Sequence, residues 1–252
     1  PGGCGSGIWY KIGEGQFNAL ISVIGFFIGI FITKDGVLAP IYRFFRSFNI
    51  WQTPEGIKIL SNEKVMELWD KGVDVIPPTL YSILGLNKWI VIAVLIIVAV
   101  LFLLRGEIQK SKKGYSWIVA GTLVGIIITV AWWVSEKWGG GARGISYTGP
   151  TQEFFKFLLQ GKLPTWGSMV VIGTPIGAIF SAMKLKEFKL KAPAANEMLR
   201  VLIGGLIMGI GASIGGGCNI GHGITGFSTL ALASIVATIF IVLGNWSMVY
   251  FM

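Results

Sequence analysis

Trp89 to Leu104 (WIVIAVLIIVAVLFLL) carries no charged or helix-breaking side chain and lies between Lys88 and Arg105. No other feature restricts the fold as much. Within hydrocarbon every backbone N–H and C=O must find a partner inside the protein, which leaves helices or closed barrels. An unbroken apolar run without a period of two belongs to a helix. Further apolar runs span Phe17 to Thr33, Ser116 to Ser135, Trp166 to Met183, Val201 to Ile214 and Thr229 to Met252. The fifth is short and glycine-rich, with Gly205 and Gly209 four apart and Gly211 and Gly215 four apart, a spacing that lets helices approach closely. The expected fold is therefore all-α, a polytopic transmembrane protein in a single membrane domain. Its composition, 53% hydrophobic and 13% charged, agrees.

The formal net charge of +9 would raise nucleic acid as a partner for a soluble chain. Here the Lys and Arg fall between the apolar runs, without a clustered basic face or a nucleic-acid motif, so nucleic acid is excluded and the lipid bilayer is the expected partner. The two most basic connections are Arg105 to Tyr115, with Lys110, Lys112 and Lys113, and Lys184 to Arg200, with Lys184, Lys186, Lys189 and Lys191. Alternation of the spans puts both on one side, which the positive-inside rule makes cytoplasmic. The connections Lys34 to Lys88 and Glu136 to Thr165 then face outward. In the first, Tyr42 to Arg46 alternates aromatic and basic groups like an interfacial helix, Thr53-Pro54-Glu55 reads as a helix start, and Glu63 to Lys71 as a short amphipathic helix. In the second, Thr151 to Gly161 reads as a capped short helix.

The chemistry concentrates at the ends. The chain has two cysteines and one histidine. Cys218 and His222 lie in Gly215-Gly216-Gly217-Cys218-Asn219-Ile220-Gly221-His222-Gly223, a polar break between two apolar runs, and Cys4 lies in Gly2-Gly3-Cys4-Gly5-Ser6-Gly7. Gly-Cys-x-x-Gly thus occurs twice, and the alternation of spans brings the two segments in from opposite faces. That is the geometry of an inverted-topology repeat whose broken helices meet near the bilayer midplane. The expected halves are about residues 1–135 and 136–252.

Glycines around a cysteine give a ligand access to main-chain N–H groups. A helix beginning at each cysteine would favour an anion and lower the thiol pKa. A thiol adds a soft, polarizable contact. The residues expected to bind a small, soft anion are Cys4, Cys218, Gly3, Gly217, Asn219, Gly221 and His222, the last as a polar group behind the contacts or a holder of backbone. Two alternatives stay open: the cysteines pack as small hydrophobes in a channel for some other solute, or they form a disulfide or carry persulfide in a membrane thiol oxidoreductase or sulfurtransferase. Cys218 and His222 make too few ligands for a metal site, no Cys-x-x-Cys is present, and no cofactor is expected. Gly209-x-Gly211 lies within an apolar membrane run and has no strand before it, so it is not a dinucleotide fingerprint. Lys11 and Glu14 sit between the first motif and its span, at an entrance or at the interface.

Gly3-Cys4-Gly5-Ser6-Gly7 running on to Gly13-Glu14-Gly15, and Gly216 to Gly226 (GGCNIGHGITG), resemble the motifs of the YeeE/YedE family of bacterial and archaeal inner-membrane proteins. With the hydrophobic pattern between them, the resemblance covers essentially the whole chain. It implies an inverted-repeat helical fold with short re-entrant helices and a permease for thiosulfate or a related sulfur anion. It further implies Cys4 and Cys218 on the solute path, no enzymatic activity and a small cytoplasmic sulfur-carrier protein as a partner. Some relatives are associated with selenium metabolism instead. Family members generally have further helices before the first motif, so an N-terminal portion or a partner chain is expected to complete this one.

Overall fold

The computed structural model describes residues 3–47, 49–54, 56–60, 62–73, 75–105, 116–192 and 194–251. Each of the six apolar runs forms a helix: α2 (Phe17–Lys34), α6 (Lys88–Arg105), α7 (Trp117–Trp138), α9 (Trp166–Lys184), α10 (Ala195–Ile214) and α11 (Leu232–Phe251). Five of these are long and apolar enough to cross a membrane, and α6 is apolar over residues 88–103. Phe102, Ile97, Ile126 and Phe240 stand more than half exposed on α6, α7 and α11, as lipid-facing side chains do. The chain is a multi-pass helical membrane protein. The basic connection expected at 105–115 lies, beyond Arg105, outside the described residues.

Shorter helices fill the connections: α1 (Gly5–Gly13), α3 (Ala39–Ser47), α4 (Asn62–Asp70), α5 (Leu80–Leu84) and α8 (Thr148–Gln160). The sequence reading needs correction at four places. Thr53-Pro54-Glu55 does not start a helix; Thr53 ends strand β1 (Ile50–Thr53), which pairs antiparallel with β2 (Gly56–Ile59). Gly56, at φ +125°, supplies the turn backbone that a helix start would not need. Helix α8 begins at Thr148, three residues before the threonine read as its cap. Its far end is as expected, with Gly161 left-handed at φ 63°. Helix α10 begins at Ala195, in a stretch read as a basic connection. Finally, α11 begins at Leu232, after a short helix and a turn.

The principal contact between helices is that of α2 with α10, and glycine makes it possible. A Cβ on Gly29 would lie 3.0 Å from Ile210 N and 3.1 Å from Gly209 Cα, and one on Gly209 would lie 3.0 Å from Ile30 N. Backbone therefore meets backbone along the spacing seen in the sequence at Gly205 and Gly209. The other pair does not act this way: nothing lies within 4 Å of a Cβ on Gly211, and one on Gly215 would meet only Gly211 O. Around α2 the core gathers Ile8, Trp9, Val23, Phe26, Ile30, Tyr147, Val171 and Cys218. The Trp9 indole N–H donates to Thr151 Oγ1 at 3.0 Å, tying α1 to α8.

Contacts at the two ends fix the direction of each element. At one end, Phe17 N donates to Lys191 O at 3.0 Å and Lys191 N to Gly15 O at 3.0 Å, so the start of α2 meets the basic connection after α9. At the other, Lys34 and Asp35 reach Gln152 of α8. There too Leu80 N donates to Leu230 O at 2.9 Å and Leu232 N to Pro78 O at 3.0 Å. The positive-inside rule makes the first end cytoplasmic and the second outer.

Candidate functional site

Each cysteine stands immediately before a short helix. Ile8 N donates to Cys4 O at 3.0 Å, and His222 N donates to Cys218 O at 2.9 Å, so each carbonyl accepts the first bond of its helix. After Cys4 comes α1, which runs to the cytoplasmic end. After Cys218 comes a helix over 219–228, π-helical from Gly221 to Gly226, which runs to the outer end. The two starts adjoin: a Cβ on Gly5 would lie 3.6 Å from Cys218 Cβ. Two helix N-termini, each with a positive end and first-turn N–H groups directed at its own cysteine sulfur, thus adjoin between the long helices.

The thiols differ in surroundings. Cys218 is 6% exposed and belongs to the core; its Sγ accepts from Gly221 N at 3.4 Å and lies 4.0 Å from Ser146 Oγ. Cys4 is half-buried, with Sγ 3.1 Å from Ser6 Oγ. Burial pushes the Cys4 thiol up, but bonds from the Ser6 hydroxyl, Gly7 N–H, Asn219 side chain and Ser6 N–H outweigh it and hold it below the ordinary thiol range. Alkylation of Cys4, followed by peptide mass spectrometry across a pH series, is therefore expected to reach half its plateau rate at a lower pH than a free thiol in the same tube. A midpoint at or above that of the free thiol would show that the bonds to sulfur do not favour the thiolate.

One cavity of about 750 Å³ takes in Cys4, Gly217, Cys218, Asn219 and His222, together with Phe26 of α2, Met208 of α10 and apolar residues of α11. Of the seven residues read from sequence it unites five. Gly3 lies outside it, exposed; a Cβ there would lie 3.7 Å from Lys11 Nζ. Gly221 is one layer back, where a Cβ would lie 3.0 Å from Ser146 Oγ.

His222 lines the cavity, yet both its ring nitrogens are engaged by protein. Nε2 is 3.1 Å from Gly215 O, which can only accept, so Nε2 carries the proton and Nδ1 accepts from Ser234 Oγ at 3.1 Å. Burial lowers the His222 pKa, the Gly215 carbonyl opposes this, and the charge of Arg46 adds to the lowering, which keeps the ring neutral near pH 7. The ring braces the end of α10 against the start of α11. That explains Gly217, where a Cβ would lie 2.8 Å from the pinned Nε2. Next to it, Gly216 holds φ +85°, a conformation that favours glycine.

The turn Gly215 to Gly217 divides this cavity from a smaller one, about 180 Å³, on the outer side. It is lined by Lys34, Arg46, Ser146, Thr148, Gly149, Pro150, Ala212, Ser213 and Gly216, and Ala212 lines both. Two cations meet the N-terminus of α8 there. Thr148 Oγ1 and Ser213 Oγ, in residues 3% and 1% exposed, are buried without a hydrogen-bond partner. Such a set has the chemistry to suit an anion with several oxygens. The sequence reading missed Lys34 and Arg46, which looked like ordinary charges beside a span and in an interfacial helix. Their one signal was being basic on the connection expected outside. Among the described residues no cluster of three His, Cys, Asp or Glu could hold a metal.

The chain is thus a multi-pass helical membrane protein with two free thiols in one cavity beside a basic chamber, an arrangement suited to a membrane transporter for a small anion. The sequence model of the sulphur transport family matches residues 1–247, and the chain belongs to that family. It is 32% identical over 251 residues to the thiosulfate transporter TsuA of Spirochaeta thermophila, an alignment covering 99% of this chain and 72% of the relative. Against the thiosulfate transporter TsuA of Escherichia coli the identity is 28%, over 98% of this chain and 68% of the relative. A probable transporter of Xylella fastidiosa is 35% identical over 88 residues, 34% of this chain and 64% of the relative.

Proposed function

We propose that the chain is a permease for thiosulfate or a related small sulfur-containing anion, passing it from the outer basic chamber to Cys218 and on to Cys4. The observation that carries this reading is the placement of both thiols at adjoining helix N-termini in one cavity, one turn below Lys34 and Arg46. The terminal sulfur of thiosulfate is soft and suits a thiol, and its sulfonate oxygens suit N–H groups and cations. The similarity to two thiosulfate transporters supports the substrate. Relatives named as transporters also support transport rather than catalysis. The opposed courses of α1 and the 219–228 helix support two halves related as an inverted repeat. A small sulfur-carrier protein is the proposed recipient at the cytoplasmic end, where Lys184, Lys186, Lys189 and Lys191 are exposed.

The test is uptake of labelled thiosulfate by cells lacking other thiosulfate transport. Expression of the chain is expected to raise uptake above the vector control, with competition by unlabelled thiosulfate and far less by sulfate, which lacks the soft sulfur. No uptake despite membrane expression, or equal competition by sulfate, would sink the thiol-guided reading.

A further inference from the structure

Lys34 and Asp35 are neighbours in sequence at the end of α2, and a cation beside a carboxylate is half neutralised as an anion receptor. The structure engages both with one side chain from a remote helix. Lys34 Nζ donates to Gln152 Oε1 at 3.1 Å, while Gln152 Nε2 donates to Asp35 Oδ2 at 2.7 Å. The amide orientation follows from chemistry, because an ammonium only donates and a carboxylate only accepts. Gln152 is 9% exposed, so it is held in place. The next residue, Thr151, is 0% exposed and bonded to Trp9, which fixes the helix that presents it. Lys156 Nζ also lies 3.5 Å from the same Oδ2 and pairs with Asp35.

We infer that Gln152 is a positioning residue for anion recognition: its amide stands between Lys34 and Asp35 and leaves the Lys34 ammonium charge to the outer chamber. One of the three ammonium donors goes to a neutral acceptor, which itself brings no opposing charge. Without the amide, Lys34 and Asp35 would pair, and the chamber that Lys34 lines would lose one of its two cations. The inference rests on the proposed uptake of thiosulfate.

The experiment compares KM and maximal rate for thiosulfate uptake at matched membrane expression in wild type, Gln152→Leu and Gln152→Leu/Asp35→Asn. The single variant is expected to raise KM about tenfold, the scale of one charge-assisted contact, with the maximal rate within about twofold of wild type. Adding Asp35→Asn removes the rival carboxylate and is expected to bring KM back, a rescue that a role in packing alone would not give. Gln152→Glu is also expected to raise KM about tenfold, but without rescue by Asp35→Asn, because the new carboxylate itself pairs with Lys34. If Gln152→Leu does not reach the membrane, the Glu variant with and without Asp35→Asn carries the comparison. An unchanged KM in either single variant, or a Leu variant that Asp35→Asn does not restore, overturns the role of Gln152 while uptake by wild type stands. No uptake by wild type overturns the thiosulfate reading itself, and this inference with it.

Discussion

Replacing Cys218 by alanine is expected to reduce thiosulfate uptake at least tenfold, toward the vector background, while the protein still reaches the membrane. The thiol lies between the two compartments: its sulfur is 4.0 Å from Ser146 of the outer chamber, and the residue lines the cavity that holds Cys4. Loss of the sulfur atom from a core position costs about 1 kcal/mol of packing, too little to unfold a domain. It also frees Gly221 N from its bond to sulfur, leaving the helix N-terminus without its cap. Cys218→Ser keeps a polar group of similar size but not a soft one, so its uptake is expected to fall between alanine and wild type. Labelled uptake at equal membrane abundance measures the difference. If the alanine variant transports normally, Cys218 serves as a core residue and the thiol path is wrong.

The second large effect falls on the fold. Gly209→Leu is expected to abolish accumulation of folded protein, read as loss of the monodisperse peak in detergent after mild heating. A Cβ at Gly209 would run into Phe26 O and lie 3.0 Å from Ile30 N and 3.1 Å from Gly29 Cα. Those atoms are backbone of α2 and cannot rotate aside, so relief requires separating α2 from α10. Overpacking of a yielding side-chain core costs roughly 1–3 kcal/mol, and a rigid backbone contact should exceed that range. The consequence reaches the site, because Phe26 of α2 and Met208 of α10 both line the thiol cavity. Gly121→Ala on α7 provides the contrast. Nothing lies within 4 Å of that Cβ, and helix propensity favours alanine by about 0.5–1 kcal/mol, so accumulation should be unchanged or higher. Equal behaviour of the two variants would mean that the α2 and α10 backbones do not need their close approach.

The helices themselves were legible because each depends on its own stretch of chain. Trp89 to Leu104 can satisfy its backbone in lipid only as a helix, whatever surrounds it, and α6 follows. The two glycine-flanked cysteines stood out for the same local reason, since a polar break between apolar runs has few roles. Where the sequence misled, a competing local signal was equally good. Thr53-Pro54 suits a helix start and a tight turn alike, and the strand pairing with Gly56 to Ile59 decided between them. His222, expected at the site in a polar or backbone-holding role, lines the thiol cavity with Gly215 and Ser234 at its two ring nitrogens.

The sequence by itself determined that this chain lives in a membrane, that each of its long apolar runs forms a helix, and that Cys4 and Cys218 occupy matched settings. These follow from solvent and from local backbone chemistry. Only the tertiary structure decided that the two cysteines begin adjoining helices in one cavity, that Lys34 and Arg46 line a smaller chamber beside it, and that Gln152 bonds both Lys34 and Asp35. Lys34 and Gln152 are 118 residues apart, and neither the hydrophobic period nor any motif marks the pair. A bond of that kind exists because α2 and α8 have packed together, which no local signal in either helix specifies.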